Sequence, residues 1–80
     1  MNFNEVIGKR ISELRRKKNL SQEDLANLAS IDRSYMSSIE RGKRSISLAI
    51  SLKLCSALNI SILELLKKED GTYLNGTDNT

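Results

Sequence analysis

The residue types that could do chemistry in this sequence are concentrated in one short segment, Asp32 to Arg44, with the sequence DRSYMSSIERGKR. On a helix, at about 100° per residue, Met36 and Ile39 fall on one arc. The opposite arc carries hydroxyl and guanidinium groups: Ser34, Ser37, Ser38 and Arg41. A solvent-facing arc usually carries residues that favour the helix, such as Lys, Glu, Gln or Ala, whereas serine competes for the backbone hydrogen bonds. The segment therefore offers donors and acceptors suited to recognising a polar surface rather than to making or breaking bonds.

Catalytic and metal-binding groups of the usual kinds are missing from the sequence. There is no histidine, and the one cysteine, Cys55, lies among apolar neighbours in LKLCSAL. A Cys/His nucleophile pair and a zinc site of the usual type therefore cannot be built. Neither paired carboxylates nor a glycine-spaced phosphate loop occurs. We expect a protein that is not an enzyme and that uses no metal, no cofactor and no small-molecule ligand.

Charge is unevenly distributed along the chain. Residues 1–68 carry all 13 lysines and arginines against seven acidic residues, a balance of +6, whereas residues 69–80 carry three acids and no base. A basic surface attracts polyanions, so the partner could be nucleic acid or an anionic membrane. The charge could also serve only to keep the surface hydrated. Because the basic residues are spread over several predicted helices, a membrane-surface helix is the less favoured of these.

Length and composition indicate a single small all-α domain. Eighty residues leave no room for a second core, and the apolar share of 39% comes from Leu, Ile and Ala, with no proline. No apolar run approaches the roughly 18 residues of a membrane span, and the N-terminus lacks the apolar core of a signal peptide. We expect a cytoplasmic protein without a membrane partner.

Apolar spacing and capping residues predict five short helices. The first begins near Phe3 and should end near Lys18, after a basic last turn. Ser21 and Asp32 are predicted N-caps of the second and third helices. Gly42 stands just past the end of the third helix, where a left-handed residue commonly stops one.

The second half of the chain is expected to hold two more helices and a tail. The fourth helix should cover 48–58 with Ser47 as its cap, and because it is apolar on nearly every side we expect it to be buried centrally. Ser61 is predicted to begin the fifth helix. From Gly71 the sequence GTYLNGTDNT has loop composition and no periodicity. We therefore divide the chain into a domain, residues 1–68, and a flexible acidic and polar tail, residues 69–80.

The polar arc of the third helix has the properties that a DNA major groove requires. That groove is about 12 Å wide and admits a helix only when the facing side chains are compact or can bond to base edges. Serine hydroxyls donate and accept, and arginine can bond guanine at two places. The preceding helix would lie across the backbone with its N-terminal amides directed at phosphate. This arrangement is a helix-turn-helix.

The segment from Gln22 to Arg41, QEDLANLASIDRSYMSSIER, resembles the helix-turn-helix of the phage repressor/Cro-like (XRE-type) family of bacterial regulators. The resemblance extends over about residues 6–66 through IGKRISELRRKKNLSQEDLA, IERGKR and CSALNIS. It implies an all-α, five-helix lambda-repressor-like DNA-binding domain with the helix-turn-helix at helices 2 and 3. Ser30 departs from the family's frequent turn glycine, so it must tolerate a left-handed backbone. Residues 45–47 also replace a frequent proline.

The same resemblance, together with position on the polar arc, suggests roles for individual residues. Five residues of the third helix are expected to contact bases: Arg33, Ser34, Tyr35, Ser37 and Ser38. Four residues are expected to contact phosphates: Gln22, Arg41, Lys43 and Arg44. Tyr35 is equally well explained by packing at the helix edge. Arg15 and Glu40 resemble the family's partly buried ion pair, and Glu40 lies at the inner edge of its own helical arc.

Apolar residues near the end of the domain exceed what one short helix needs for its own core. These residues are Ile60, Ile62, Leu63, Leu65 and Leu66. Of them, we expect Ile60, Ile62, Leu63 and Leu66 to form an interface. Two copies joined there, with recognition helices about 34 Å apart, would bind a pseudo-palindromic operator. We therefore expect a homodimer through the fifth helix.

The sequence thus predicts a sequence-specific transcriptional regulator that binds double-stranded DNA. Among compact members of the family, the stretch DRSYMSSIERGKRSIS is most similar to controller proteins of restriction–modification systems. That resemblance implies regulation, as activator and repressor, of its own gene and of the endonuclease gene. A phage or plasmid repressor of the same family and an antitoxin-like protein-interaction module are the alternatives.

Overall fold

The computed structural model describes residues 2–68 and 70–74. Within these residues five helices follow one another: α1 Phe3–Lys17, α2 Gln22–Ala29, α3 Arg33–Glu40, α4 Leu48–Leu58 and α5 Ile62–Leu66. The prediction of a five-helix, all-α domain is confirmed. α1 packs against α3 and α5, while α2 packs against α3 and α4. Within the described ranges, none of the helices is long and apolar enough to cross a membrane.

Each helix begins at a side chain that accepts a hydrogen bond from its first turn. The capping residues are Asn2, Ser21, Asp32, Ser47 and Ser61. At the start of α2 the bonding is reciprocal, because Asp24 N donates to Ser21 Oγ at 3.0 Å and Ser21 N donates to Asp24 Oδ2 at 2.9 Å. The hydrogen bond from the Ser21 backbone holds the pKa of the Asp24 carboxyl below its usual value. The charged carboxylate therefore continues to stabilise this cap as the pH falls toward the ordinary aspartate range.

The turns between helices depend on left-handed backbone conformations. Asn19, Ser30 and Asn59 have φ values of 59°, 57° and 57°. At Ser30 the next amide, Ile31 N, donates to Ala26 O at 2.9 Å and closes the turn between α2 and α3. The left-handed backbone expected of Ser30 is thus present, and a non-glycine residue there costs of order 1 kcal/mol.

The core lies where the five helices meet. In the part of the chain that the structure describes, seven large side chains are less than 2% exposed: Ile11, Leu25, Met36, Ile39, Leu54, Leu58 and Leu65. α1 approaches α3 most closely at Gly8, where an added Cβ would collide with the carbonyl oxygen of Ile39 and lie 2.9 Å from that of Glu40. Because backbone atoms occupy that space, Gly8 determines how closely α1 supports the polar helix α3.

The prediction that α4 is a buried central helix is wrong. Leu54, Cys55 and Leu58 face the core, but Leu48 is 70% exposed and Leu52 is 51% exposed. α4 packs against α2 and α5, and those contacts cover only one side of it. An apolar composition all round a helix therefore does not show here how many of its faces have a neighbour.

The chain after α5 turns back onto the domain in the part that the structure describes. Lys67 and Tyr73 form an isolated antiparallel bridge, and Leu74 N donates to Leu66 O at 2.7 Å. Leu74 is only 9% exposed and joins the core cluster. Burial of Leu74 and these backbone bonds thus hold residues 70–74 against the domain, where we expected the start of a flexible tail. Residue 69 and residues 75–80 of the predicted tail lie outside the described residues.

Candidate nucleic-acid interface

A groove between the start of α2 and the outward face of α3 collects most of the predicted contact residues. It measures about 310 Å³ and is lined by Gln22, Arg33, Ser34, Ser37, Ser38 and Arg41. Arg33, Ser34 and Arg41 are exposed, whereas Ser37 and Ser38 are half-buried. The fold therefore brings four of the predicted base-contacting residues beside two of the predicted phosphate-contacting residues. Tyr35, Lys43 and Arg44 are not part of the lining.

The first turn of α3 is held in place by its cap. Asp32 Oδ2 accepts hydrogen bonds from Ser34 N at 2.8 Å and from Tyr35 N at 3.3 Å. On the opposite side of α3, Met36 and Ile39 are buried in the core. The exposed arc of α3 is thus presented by a helix that is fixed both at its start and along its inner side, which favours precise positioning of short polar side chains.

Glu40, at the end of α3, ties this helix to α1 and α2. Arg15 donates from Nε to Glu40 Oε2 at 2.7 Å and from Nη2 to Oε1 at 3.0 Å, and the two side chains are 10% and 5% exposed. The ion pair expected between these residues is therefore present. The hydrogen bond to Glu40 raises the pKa of the Arg15 guanidinium above its ordinary value. Gln22 Nε2 donates to the same Oε1 at 3.1 Å, a contact that the sequence did not indicate.

Tyr35 lies at the edge of α3, against the connector that follows it. The Arg44 guanidinium carbon stands 4.9 Å from the centroid of the Tyr35 ring, a distance at which a cation is attracted to the ring face. The Tyr35 hydroxyl donates to Ser45 O at 3.5 Å. In the single chain Tyr35 thus packs at the helix edge, one of the two roles open to it, and its contact with DNA stays a prediction.

Gly42 closes the turn that leads from α3 to the basic connector. Its φ is 72°, and the following amide, Lys43 N, donates to Ser38 O at 2.9 Å. A Cβ at Gly42 would lie 2.6 Å from Cγ and 2.7 Å from Cα of Glu5. Glycine is therefore needed twice, for the left-handed turn and for the close approach to α1. Lys43 and Arg44 follow directly, both exposed.

The residues predicted to form a dimer interface differ in their exposure. Leu63 on α5 is 60% exposed, whereas Ile60, Ile62 and Leu66 are half-buried and pack against the core. On α4, Leu48 and Leu52 add exposed apolar surface that we did not predict. Of the four predicted interface residues, Leu63 is thus the one with most surface available to a partner.

Comparison with known proteins agrees with this geometry. Residues 11–65 match the family described as helix-turn-helix. The chain is 35% identical over 69 residues to the control protein C.SmaI of Serratia marcescens, covering 86% of this chain and 82% of that protein. Its structure resembles the restriction-modification controller protein C.AhdI from Aeromonas hydrophila with a TM-score of 0.76 and 50% identity, over 78% of this chain and 94% of that one.

The fold is also similar to that of a relative solved in complex with DNA. SinR, a master regulator for biofilm formation, is similar in its complex with DNA with a TM-score of 0.72 and 37% identity, over 76% of this chain and 98% of the SinR chain. The matched region, residues 11–65, contains α2 and α3 in full and therefore the whole groove. The chain belongs to the helix-turn-helix family of DNA-binding transcriptional regulators, whose members are not enzymes.

Proposed function

We propose that this regulator is the controller protein of a restriction–modification system and that it binds a pseudo-palindromic operator as a homodimer. The observation that carries the DNA-binding part is the groove in which the polar arc of α3 meets the start of α2. The controller role is supported by the names of two relatives, C.SmaI and C.AhdI, and by the similar extent of their chains. It would control its own gene and the endonuclease gene, and it would act in the cytoplasm.

Base recognition is assigned to the exposed arc of α3. A recognition helix contacts base edges chiefly through its N-terminal residues, and Arg33 and Ser34 are exposed in the first turn of α3. An arginine can donate to O6 and N7 of one guanine, while serine hydroxyls suit several bases. We assign the strongest base preference to Arg33, with Ser34, Ser37 and Ser38 as adaptable partners. Tyr35 would add an apolar contact at the edge.

Phosphate contact is assigned to residues on both sides of that arc. Gln22 and Arg41 line the groove, and Lys43 and Arg44 are exposed in the connector after α3. Cations that touch the backbone determine the position of the protein on DNA without reading sequence. Arg41, Lys43 and Arg44 would therefore set the salt dependence of the affinity, and Gln22 would add a neutral hydrogen bond to the backbone, while α3 would set base preference.

Dimerisation is assigned to the α5 side of the domain, around Leu63. Exposed Leu63 can pack against the same region of a second copy across a two-fold axis. A two-fold dimer also places the two α3 helices on one face of the duplex. The half-buried residues Ile60, Ile62 and Leu66 would border that contact. Without a partner a headpiece of this size would contact one half-site only.

Selection of bound sites from random duplexes tests the proposal. We expect two related half-sites in inverted orientation, separated centre to centre by about one helical turn, 10 to 10.5 base pairs, or a multiple of it. The affinity should fall with rising salt, with a slope near −0.9 for each phosphate neutralised. Equal binding to selected and scrambled duplexes at every salt concentration would contradict the proposal.

The controller role needs a separate experiment, in which the selected operator is located in the source genome. We expect copies upstream of the gene for this protein and upstream of, or within, a neighbouring endonuclease operon. Reporter fusions to those promoters should respond to the concentration of the protein. Operators confined to promoters of phage or plasmid replication genes would instead support a repressor of the same family.

A further inference from the structure

The carboxylate of Glu40 accepts a third hydrogen bond, from Gln22, beyond the two that it accepts from Arg15. Its Oε2 accepts from Arg15 Nε at 2.7 Å, and its Oε1 accepts both from Arg15 Nη2 at 3.0 Å and from Gln22 Nε2 at 3.1 Å. The Glu40 side chain is 5% exposed, whereas Gln22 lines the open groove on the outward face. Glu40 thus connects the interior of the domain to a residue at its surface.

The chemistry of the carboxylate determines how the Gln22 amide is turned. Both oxygens of an ionised carboxylate only accept hydrogen bonds, so the amide must direct its NH₂ group, and not its carbonyl oxygen, toward Glu40. One of the two N–H bonds of Nε2 is then used by Glu40. The second N–H remains with the amide at the edge of the groove, where it can serve an acceptor on a ligand.

Arg15 makes this arrangement compatible with a polyanion. An unpaired carboxylate close to a DNA backbone would repel it. The two bonds from Arg15 neutralise the charge of Glu40, and their paired geometry keeps the carboxylate from rotating. The guanidinium also donates from Nη1 to Leu20 O at 2.8 Å, which holds Arg15 itself in place just before α2.

We propose that Glu40 is a positioning residue for DNA binding, because it turns the Gln22 amide so that the second Nε2–H is presented to a backbone phosphate. The inference rests on the proposed function, since it requires that DNA occupies the groove. A glutamine side chain loses considerable rotational freedom when it is fixed. The hydrogen bond to Glu40 restricts the Gln22 side chain already when the protein folds, so less conformational entropy of Gln22 is lost when DNA binds.

A double-mutant cycle tests the coupling between positions 22 and 40. Gln22→Met keeps the length of the side chain and removes the amide, and we expect about a threefold to tenfold loss of affinity for the selected operator. Arg15→Met combined with Glu40→Met removes both charges together, so no buried charge is left unpaired. In that background Gln22→Met should change affinity by less than about twofold. Asn27→Ala, an exposed change on α2 outside the groove, is the control and should leave affinity unaltered.

Two results of the cycle would overturn the proposal. One is an equal loss of affinity from Gln22→Met in both backgrounds, since Gln22 would then act without Glu40. The other is no loss in either background, since Gln22 would then not bind phosphate. If the unmodified protein binds no duplex at all, the proposed function fails, and this role fails with it. If it binds DNA but gives either result above, only the role of Glu40 fails.

A second measurement covers the case in which the doubly substituted protein does not fold. Gln22 is the one glutamine in the sequence, so its side-chain amide gives a single pair of signals of its type in a ¹⁵N–¹H spectrum. In the protein without DNA, we expect the chemical shift of one proton of that pair to differ from the value for an unstructured glutamine, because that proton is hydrogen-bonded to Glu40. Glu40→Asp keeps the charge but withdraws the carboxylate by one methylene group, and it should return that signal toward the unstructured position. An undisplaced Gln22 amide in the unmodified protein would overturn the proposal.

Discussion

Arg33 and Lys43 are both exposed cations near α3, yet they should contribute differently to DNA binding. Arg33 stands on the first turn of α3 and lines the groove, where a side chain can reach base edges. Lys43 follows the left-handed Gly42 and lies outside the groove lining. We therefore assign base preference to Arg33 and backbone attraction to Lys43.

Arg33→Ala should weaken binding to the selected operator by about 1–3 kcal/mol and relax the preference at one base position in each half-site. The reason is the loss of a paired donor to one base, and competition binding against single-base variants of the operator measures it. An equal loss on selected and random duplexes would show that Arg33 contacts phosphate instead.

Lys43→Ala serves as the matched comparison and should weaken binding to all sequences alike. It should also make the salt dependence shallower by about one unit of slope, because one fewer phosphate is neutralised. Titrations at several salt concentrations on operator and random duplexes check both effects. A change of base preference without a change of slope would contradict the assignment.

At the scale of elements, the helix ends were predictable because their causes lie within a few residues. Ser21, Asp32 and Ser47 cap the helices they were expected to cap, since a cap requires only a side chain and an amide two or three positions later. The end of α3, just before the left-handed Gly42, is of the same kind. The uncovered side of α4 was not predictable from these local signals, because it depends on which other helices α4 meets.

Ser30→Gly should stabilise the domain by about 0.5 to 1 kcal/mol. Glycine adopts φ near 57° without the cost that a Cβ imposes, although part of this gain is lost to the greater freedom of the unfolded chain. Denaturant unfolding measures the change. Ser56→Gly, at an exposed position inside α4, is the control and should destabilise by about 0.3 to 0.5 kcal/mol, the difference in helix propensity between serine and glycine. Destabilisation by both changes would indicate that Ser30 is not strained.

Gly8→Ala should have the opposite sign from the usual effect of such a change in a helix. An alanine normally favours the helix by about 1 kcal/mol, but here its Cβ would meet the carbonyl oxygens of Ile39 and Glu40. We expect a net destabilisation of about 1–3 kcal/mol, as in other overpacked cores, together with weaker operator binding because α3 is displaced. Thermal unfolding of this variant checks the expectation, with Lys9→Ala, a change at the exposed neighbouring residue, as the control. Unchanged stability of Gly8→Ala would contradict the close approach of α1 to α3.

At the scale of the whole molecule, the proposed dimer depends on Leu63. Leu63→Glu should give a monomer by sedimentation at micromolar concentration and reduce affinity for the full operator, while binding to a single half-site should be nearly unchanged. The reason is that a charge in an apolar contact is left without a partner. Leu28→Glu is a control of equal exposure, since both leucines are 60% exposed, and it should leave the dimer intact. A dimer that survives Leu63→Glu would place the interface elsewhere, with exposed Leu48 and Leu52 as the next candidates.

The amino-acid sequence by itself determined the five helices, the capped starts of α2 to α5, the left-handed residues Ser30 and Gly42 after α2 and α3, and the polar arc of α3. Each of these follows from side chains that act on backbone within one or two turns, so nearby residues suffice to predict them. Only the tertiary structure decided that Gly8 admits α3 against α1, that Gln22 bonds to Glu40, and that Leu74 returns to the core. These contacts join residues that are far apart in the chain, and their existence depends on how the packed helices place backbone and side chains in the same small space.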